Sequence, residues 1–145
     1  MDNELMVTLL ESFKQMDGFI GHNGIVLKKV ERGFCECEVE LNKLSMNPQG
    51  VAHGGLIFTL CDVACGVAAF SLGLVTLTLN SSINFMRTGM SGKLCAVAQC
   101  IKEGRNIIFC RAEVFDEQGR VIASSDTSMY RTDVATDTLI DAYTG

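Results

Sequence analysis

The spacing of apolar residues changes along the chain, and each change predicts an element. Over residues 4–16, Leu5, Leu9, Leu10 and Phe13 recur at helical spacing. Residues 24–31 and 34–41 read as two strands of a hairpin around Arg32-Gly33. The second strand alternates cleanly: Cys35, Cys37, Val39 and Leu41 face one way, Glu36, Glu38 and Glu40 the other, as in a half-solvated antiparallel strand. Residues 42–52, with the only proline, read as a loop. Residues 53–71 then predict one long helix. Leu56, Leu60, Val63, Val67 and Phe70 form one apolar stripe, and Ile57, Cys61, Ala64 and Ala68 form the next. A helix apolar on nearly every side belongs in the interior, so a sheet must wrap it.

Strand spacing returns over 74–87, where Thr76, Thr78, Asn80, Ser82 and Asn84 alternate with Val75, Leu77, Leu79, Ser81, Ile83 and Phe85. Three more strands are expected near 93–102, 106–116 and 120–131, joined by turns at Lys102-Glu-Gly-Arg105 and Asp116-Glu-Gln-Gly-Arg120. The polar tail 132–145 is expected to be loose or weakly helical. The order of helix, two strands, long helix and four strands argues α+β rather than a doubly wound sheet. Residues 1–145 make one domain, with 1–20 as an N-terminal helical segment.

Composition narrows the function. A net charge of −5 argues against nucleic acid as a partner. The apolar zone 51–79 is interrupted by His53, Asp62 and several threonines, so no membrane span is expected. The acidic, amphipathic start does not resemble a secretory signal, which points to a cytoplasmic protein or one inside an organelle after processing. The seven cysteines are odd in number and contain no Cys-x-x-Cys pair. They read as buried, reduced thiols, against the alternatives of zinc ligands or a disulfide framework.

The chemistry concentrates in NPQGVAHGGLIFTLCD, from Asn47 to Asp62. Gly55, Thr59, Asp62, Gly66 and Ala69 fall on one helical face, and all five are small or polar. A carboxylate there is either a structural group satisfied by a partner or a catalytic base or nucleophile. Gly54 and Gly55 leave the first-turn N–H groups open, suited to an oxyanion or merely to a tight turn. Eight residues separate Gly54 from Asp62, about 12 Å along a helix. One reacting carbon needs both groups within about 3–3.5 Å. If both are functional, Gly54 of one subunit must meet Asp62 of another, giving a dimer with two shared sites.

Asn47-x-x-Gly50-x-x-His53-Gly54-Gly55, followed by Asp62, resembles the hotdog-fold acyl-CoA thioesterases of the PaaI-like (phenylacetic-acid-pathway) group. The Thr-rich strand ending Asn84-Phe85-Met86-Arg87, the turn at Gly104-Arg105 and the last strand with Val121-Ile122-Ala123 extend the resemblance over residues 20–131. It implies a long central helix wrapped by a curved antiparallel β-sheet, in a homodimer that pairs again as a homotetramer. Asp62 would be general base or nucleophile, and the Gly54 N–H would polarise the thioester carbonyl with Asn47 beside it. Thr78 would help place the water. The substrate would be an acyl-CoA, with CoA as part of the substrate and no metal or other cofactor.

Arg87, Lys93, Lys102 and Arg105 are candidates for the CoA phosphates. Phe58, Leu60 and Phe85 are candidates for the acyl pocket. Gly55 belongs with the substrate-binding turn. His53 reads as holding the helix entrance by hydrogen bonds, and His22 as a surface residue. Thr88-Gly89 departs from the Pro-Ala that the group often carries, which bears on the loop after that strand. Two rivals remain: a non-catalytic acyl-CoA binding or sensing module, and a hotdog hydratase or dehydratase, which would want a histidine placed differently.

Overall fold

The computed structural model describes residues 3–16 and 18–144. In chain order these form α1 (Asn3–Met16), α2 (Gly18–His22), β1 (Val26–Glu31), β2 (Phe34–Glu40), a 3-10 turn at Lys43–Ser45, α3 (Gly54–Phe70), β3 (Leu74–Phe85), β4 (Lys93–Glu103), β5 (Ile107–Phe115), β6 (Val121–Ala135) and α4 (Thr136–Thr144). The six strands make one antiparallel sheet in the order β1-β2-β4-β5-β6-β3. The sheet wraps α3, which is the α+β hotdog arrangement.

The burial of α3 follows from its composition. Leu60, Ala64, Cys65, Ala68 and Ala69 are fully buried. The concave face of the sheet meets them with small residues, Ala96 and Ala98 on β4 and Ala112 on β5, which let the helix lie close to the strands. Larger side chains, Leu94, Val114 and Ile122, fill the rest. Strand β2 keeps its alternation, with Cys35, Cys37 and Val39 buried and Glu40 exposed. All seven cysteines are free. Burial pushes the Cys61 thiol up to about 11, so it stays protonated and packs as a small apolar group.

Two expectations, for β3 and for residues 132–135, need correction. The alternation along β3 is broken: Thr78 pairs with Met129, but Asn80 pairs with Ser128, so Leu79 is an extra, bulged residue. Before the bulge the even-numbered residues face inward, as buried Thr76 shows. After it Ser81 and Ile83 do, opposite the buried Thr127 and Ser125. Thr76 and Thr78 therefore do not share a face with Ser82 and Asn84.

The C-terminal tail is not loose. Residues 132–135 continue β6 beside β3, with Ala135 paired to Leu74 and the Thr132 hydroxyl donating to the Val75 carbonyl at 2.6 Å. Helix α4 then packs on α1 and buries Ile140. Finally, the N-terminal segment holds two helices, and α2 ends in a turn at Gly24, where φ is +72°. Leu9 and Phe13 of α1 are buried; the side chain of Leu5 lies outside the described residues.

No helix among the described residues is long and apolar enough to cross a membrane. Replacing fully buried Leu60 with alanine removes a side chain at the centre of the helix–sheet contact. Leu60→Ala is expected to cost about 2–5 kcal/mol, read as a lowered midpoint in denaturant unfolding with an unchanged m-value.

Candidate active site

Residues 42–53 form a braced loop that fixes where α3 begins. Asn42 caps the 3-10 turn, its side chain accepting from the Leu44 N–H at 2.8 Å. The Asn47 side-chain oxygen accepts from the N–H groups of Gln49 (3.0 Å) and Val51 (3.3 Å), and Gly50 supplies the φ of +78° that the turn needs. The His53 N–H donates to the Ser45 carbonyl, and the Ala52 N–H to the Gly89 carbonyl. Asn47 thus shapes the approach to the helix with its side-chain oxygen.

His53 is the N-cap of α3, with an extended backbone at φ −61° and ψ 134°. Its Nδ1 accepts the Gly55 N–H at 2.8 Å. A Cβ on Gly55 would sit 3.0 Å from that nitrogen, so the cap depends on glycine there. The Gly55 N–H is consumed by this bond. The Gly54 N–H has no acceptor among the described residues and is the open donor at the positive end of the helix. Phe85, at the end of β3, lies against Gly54.

Two turns further on, Asp62 is half-buried, and the Thr78 hydroxyl donates to its Oδ1 at 2.8 Å. The sequence placed these two residues sixteen apart, and the return of β3 beside α3 brings them together. They line a cavity of about 250 Å³ with Phe13, Ile20, Val67, Phe70, Leu77 and Met129. The carboxylate therefore sits at a polar spot, with Thr78, in a pocket whose other walls are mostly apolar.

Within one chain the two halves of the site stay apart. His53 and Gly55 line a different, larger cavity together with His22, Asn42 and Thr59, while Asp62 lines the apolar one. Arg87, Lys102 and Arg105 are exposed, and their side chains have no ion-pair partner among the described residues. Lys93 differs, lying 3.5 Å from Glu38. Arg105 lines a shallow depression with Arg131 beyond the β4–β5 turn.

Leu60 is fully buried in the core, so it does not line an acyl pocket. Phe58 and Phe85 are partly exposed, but neither lines the Asp62 cavity. Sequence reasoning missed Phe13 and Ile20 in the wall of that cavity. The helical pattern marked Phe13 as a packing residue and did not single out Ile20, and nothing local tells which partner either one meets.

The wrapped helix and its placed carboxylate define a hotdog-type thioesterase. Residues 49–123 match the Thioesterase superfamily, and the chain belongs to that family of thioester hydrolases. A protein of Archaeoglobus fulgidus is 31% identical over 104 residues, covering 71% of this chain and 68% of its own length. The acyl-coenzyme A thioesterase PaaI of Escherichia coli is 29% identical over 101 residues, covering 69% of this chain and 72% of its own. The solved PaaI structure superposes with a TM-score of 0.83 at 24% identity, over 90% of this chain and 98% of that one, which speaks for the fold. A Streptococcus mutans protein solved bound to acetyl CoA is 32% identical with a TM-score of 0.72, over 74% of this chain and 88% of its own.

The cap predicts a test of its own. His53→Ala should destabilise the fold by about 1 kcal/mol in denaturant unfolding, and His53→Asn should recover most of that loss, because asparagine also caps.

Proposed function

We propose that the chain hydrolyses acyl-CoA thioesters to a free acid and CoA, at sites shared between two subunits. The observation that carries this reading is Asp62, held by Thr78 at 2.8 Å on the wall of an apolar cavity. Thr78 occupies Oδ1 and orients the carboxylate, leaving Oδ2 to act on water as general base or on the thioester carbonyl as nucleophile. The acyl group occupies the cavity past Phe13 and Ile20. Charge developing on the carbonyl oxygen is met by the open Gly54 N–H at a helix N-terminus, with the Asn47 amide nearby. Collapse expels the CoA thiolate, which takes up the proton released from water; where Asp62 attacks directly, water then cleaves the acyl–Asp62 anhydride to the free acid and restores the carboxylate. The steps draw on carboxylate, water and N–H groups, and on no separate cofactor.

Geometry and the sheet edge support the shared site. Gly54 and Asp62 are about 12 Å apart along α3, too far to serve one carbon. Strand β3 is a twelve-residue edge strand without a charge or a proline, and it exposes Leu77, Leu79 and Phe85. Such an edge seeks a partner strand. The opposite edge, β1, carries Lys28, Lys29 and Glu31, which discourage pairing. Antiparallel pairing of β3 with its copy lays the Phe85 end of one strand toward the Thr78 end of the other. That carries Gly54 of the partner subunit toward Asp62. The unpaired Arg87, Lys102 and Arg105 offer phosphate contacts for the CoA end.

Thiol release from short, long and aromatic acyl-CoAs should show turnover that Asp62→Asn lowers by about 10²–10⁴-fold without changing the melting temperature. Turnover unchanged by the substitution would remove Asp62 from the reaction.

Gly54→Pro isolates the donor. Gly54 is the first helical residue, where proline is tolerated, and the extended His53 backbone suits a residue before proline. The variant should fold and lose about 10²–10³-fold in turnover through its missing N–H. A purified heterodimer of one Asp62→Asn subunit and one Gly54→Pro subunit then separates the arrangements. Shared sites leave one intact site and about half the activity; sites confined to one subunit leave none.

A further inference from the structure

One pair of thiols lies outside the reaction described above. Cys100 on β4 and Cys110 on β5 are directly opposite in the sheet, and their sulfurs are 3.3 Å apart. Side chains opposite one another on antiparallel strands point to the same face, so the contact is built into the register. The two residues differ in access. Cys110 is buried, and its thiol also approaches the Cys65 carbonyl on α3 at 3.9 Å. Cys100 is half-exposed and lines a surface cavity with Arg32, Gly33, Leu72 and Glu103.

We propose that Cys100 and Cys110 form a modification site for small hydroperoxides, with Cys100 as the reacting thiol and Cys110 as the resolving one. The local charges agree with that division. The S–H donated by Cys110 holds the Cys100 thiol below its ordinary value, and the Arg32 guanidinium adds to this against burial and Glu103. The same contact and burial push Cys110 up. The thiolate therefore forms on the sulfur that the cavity exposes. Elsewhere burial raises Cys35, Cys37 and Cys61 and keeps those thiols unreactive.

The chemistry balances. The Cys100 thiolate attacks one peroxide oxygen, the O–O bond breaks, and the leaving hydroxide (or alkoxide) takes a proton. Cys100 is now a sulfenic acid. The Cys110 sulfur then attacks the Cys100 sulfur, an S–S bond forms, the S–O bond breaks, and water leaves with the Cys110 proton. Two thiols lose two electrons and the peroxide gains them. The bond closes the loop of residues 101–109, which carries Lys102 and Arg105.

The test exposes the intact folded protein to hydrogen peroxide, blocks remaining thiols with N-ethylmaleimide and maps peptides without reduction. The expected product is an intramolecular Cys100–Cys110 link, a loss of two hydrogens, and full reversal by dithiothreitol. In Cys110→Ser the sulfenic acid on Cys100 should persist and be trapped by dimedone; in Cys100→Ser neither the link nor the adduct should form. Labelling of Cys100 no faster than of the buried cysteines would overturn the proposal. So would a link between any other pair, or a dimedone adduct that survives in the unsubstituted protein. The readout is mass, so it stands apart from thioester turnover.

Discussion

The enclosure of α3 by the sheet is the constraint on which everything else rests. A helix apolar on almost every side has to be covered, and one curved sheet covers most of it. Alanines on β4 and β5 set how near the strands come. Two polar places on the helix stay partly open. One is its N-terminus, held by the loop from Asn42 to His53. The other is the narrow stripe of small and polar residues that carries Asp62. Both places are therefore consequences of the packing, and their separation is set by the helix itself.

The same enclosure leaves the two edges of the sheet unlike. The sheet needs two edges, and only one of them is protected. Strand β1 is charged, whereas β3 is long, uncharged and studded with exposed leucines and a phenylalanine. Strand β3 also holds Thr78 against Asp62 and ends with Phe85 beside Gly54. The edge that invites association thus runs past both halves of the site.

Much of this was legible from the sequence wherever hydrophobic phase is strong. The alternation of β2 and the all-round apolar character of α3 predicted those elements and their burial, and His53 stands where its position before two glycines suggested. Phase is weak in β3, where Ser, Thr and Asn fill both faces. No pattern marked Leu79 as the extra residue, and the alternation was carried across it. The polar stretch 132–135 gave no strand signal because its pairing depends on Leu74 and Val75 far along the chain. Phe13 and Ile20 were visible as apolar, but their place beside Asp62 is a tertiary fact. The turn at Lys102-Glu-Gly-Arg105 did not place Cys100 opposite Cys110, because their pairing depends on a register shift between Cys100 and Lys102 that no local pattern marks.

The bulge at Leu79 divides β3 into two stretches that face the interior by different rules. Upstream, the inward positions deliver a hydroxyl to a carboxylate; downstream, they fill space against β6. An extra residue at such a junction insulates one stretch from the other. The distal stretch can therefore shift its phase at the bulge without rotating Thr78 away from Asp62. The hydroxyl–carboxylate pair is thus buffered against changes of register along the rest of the strand.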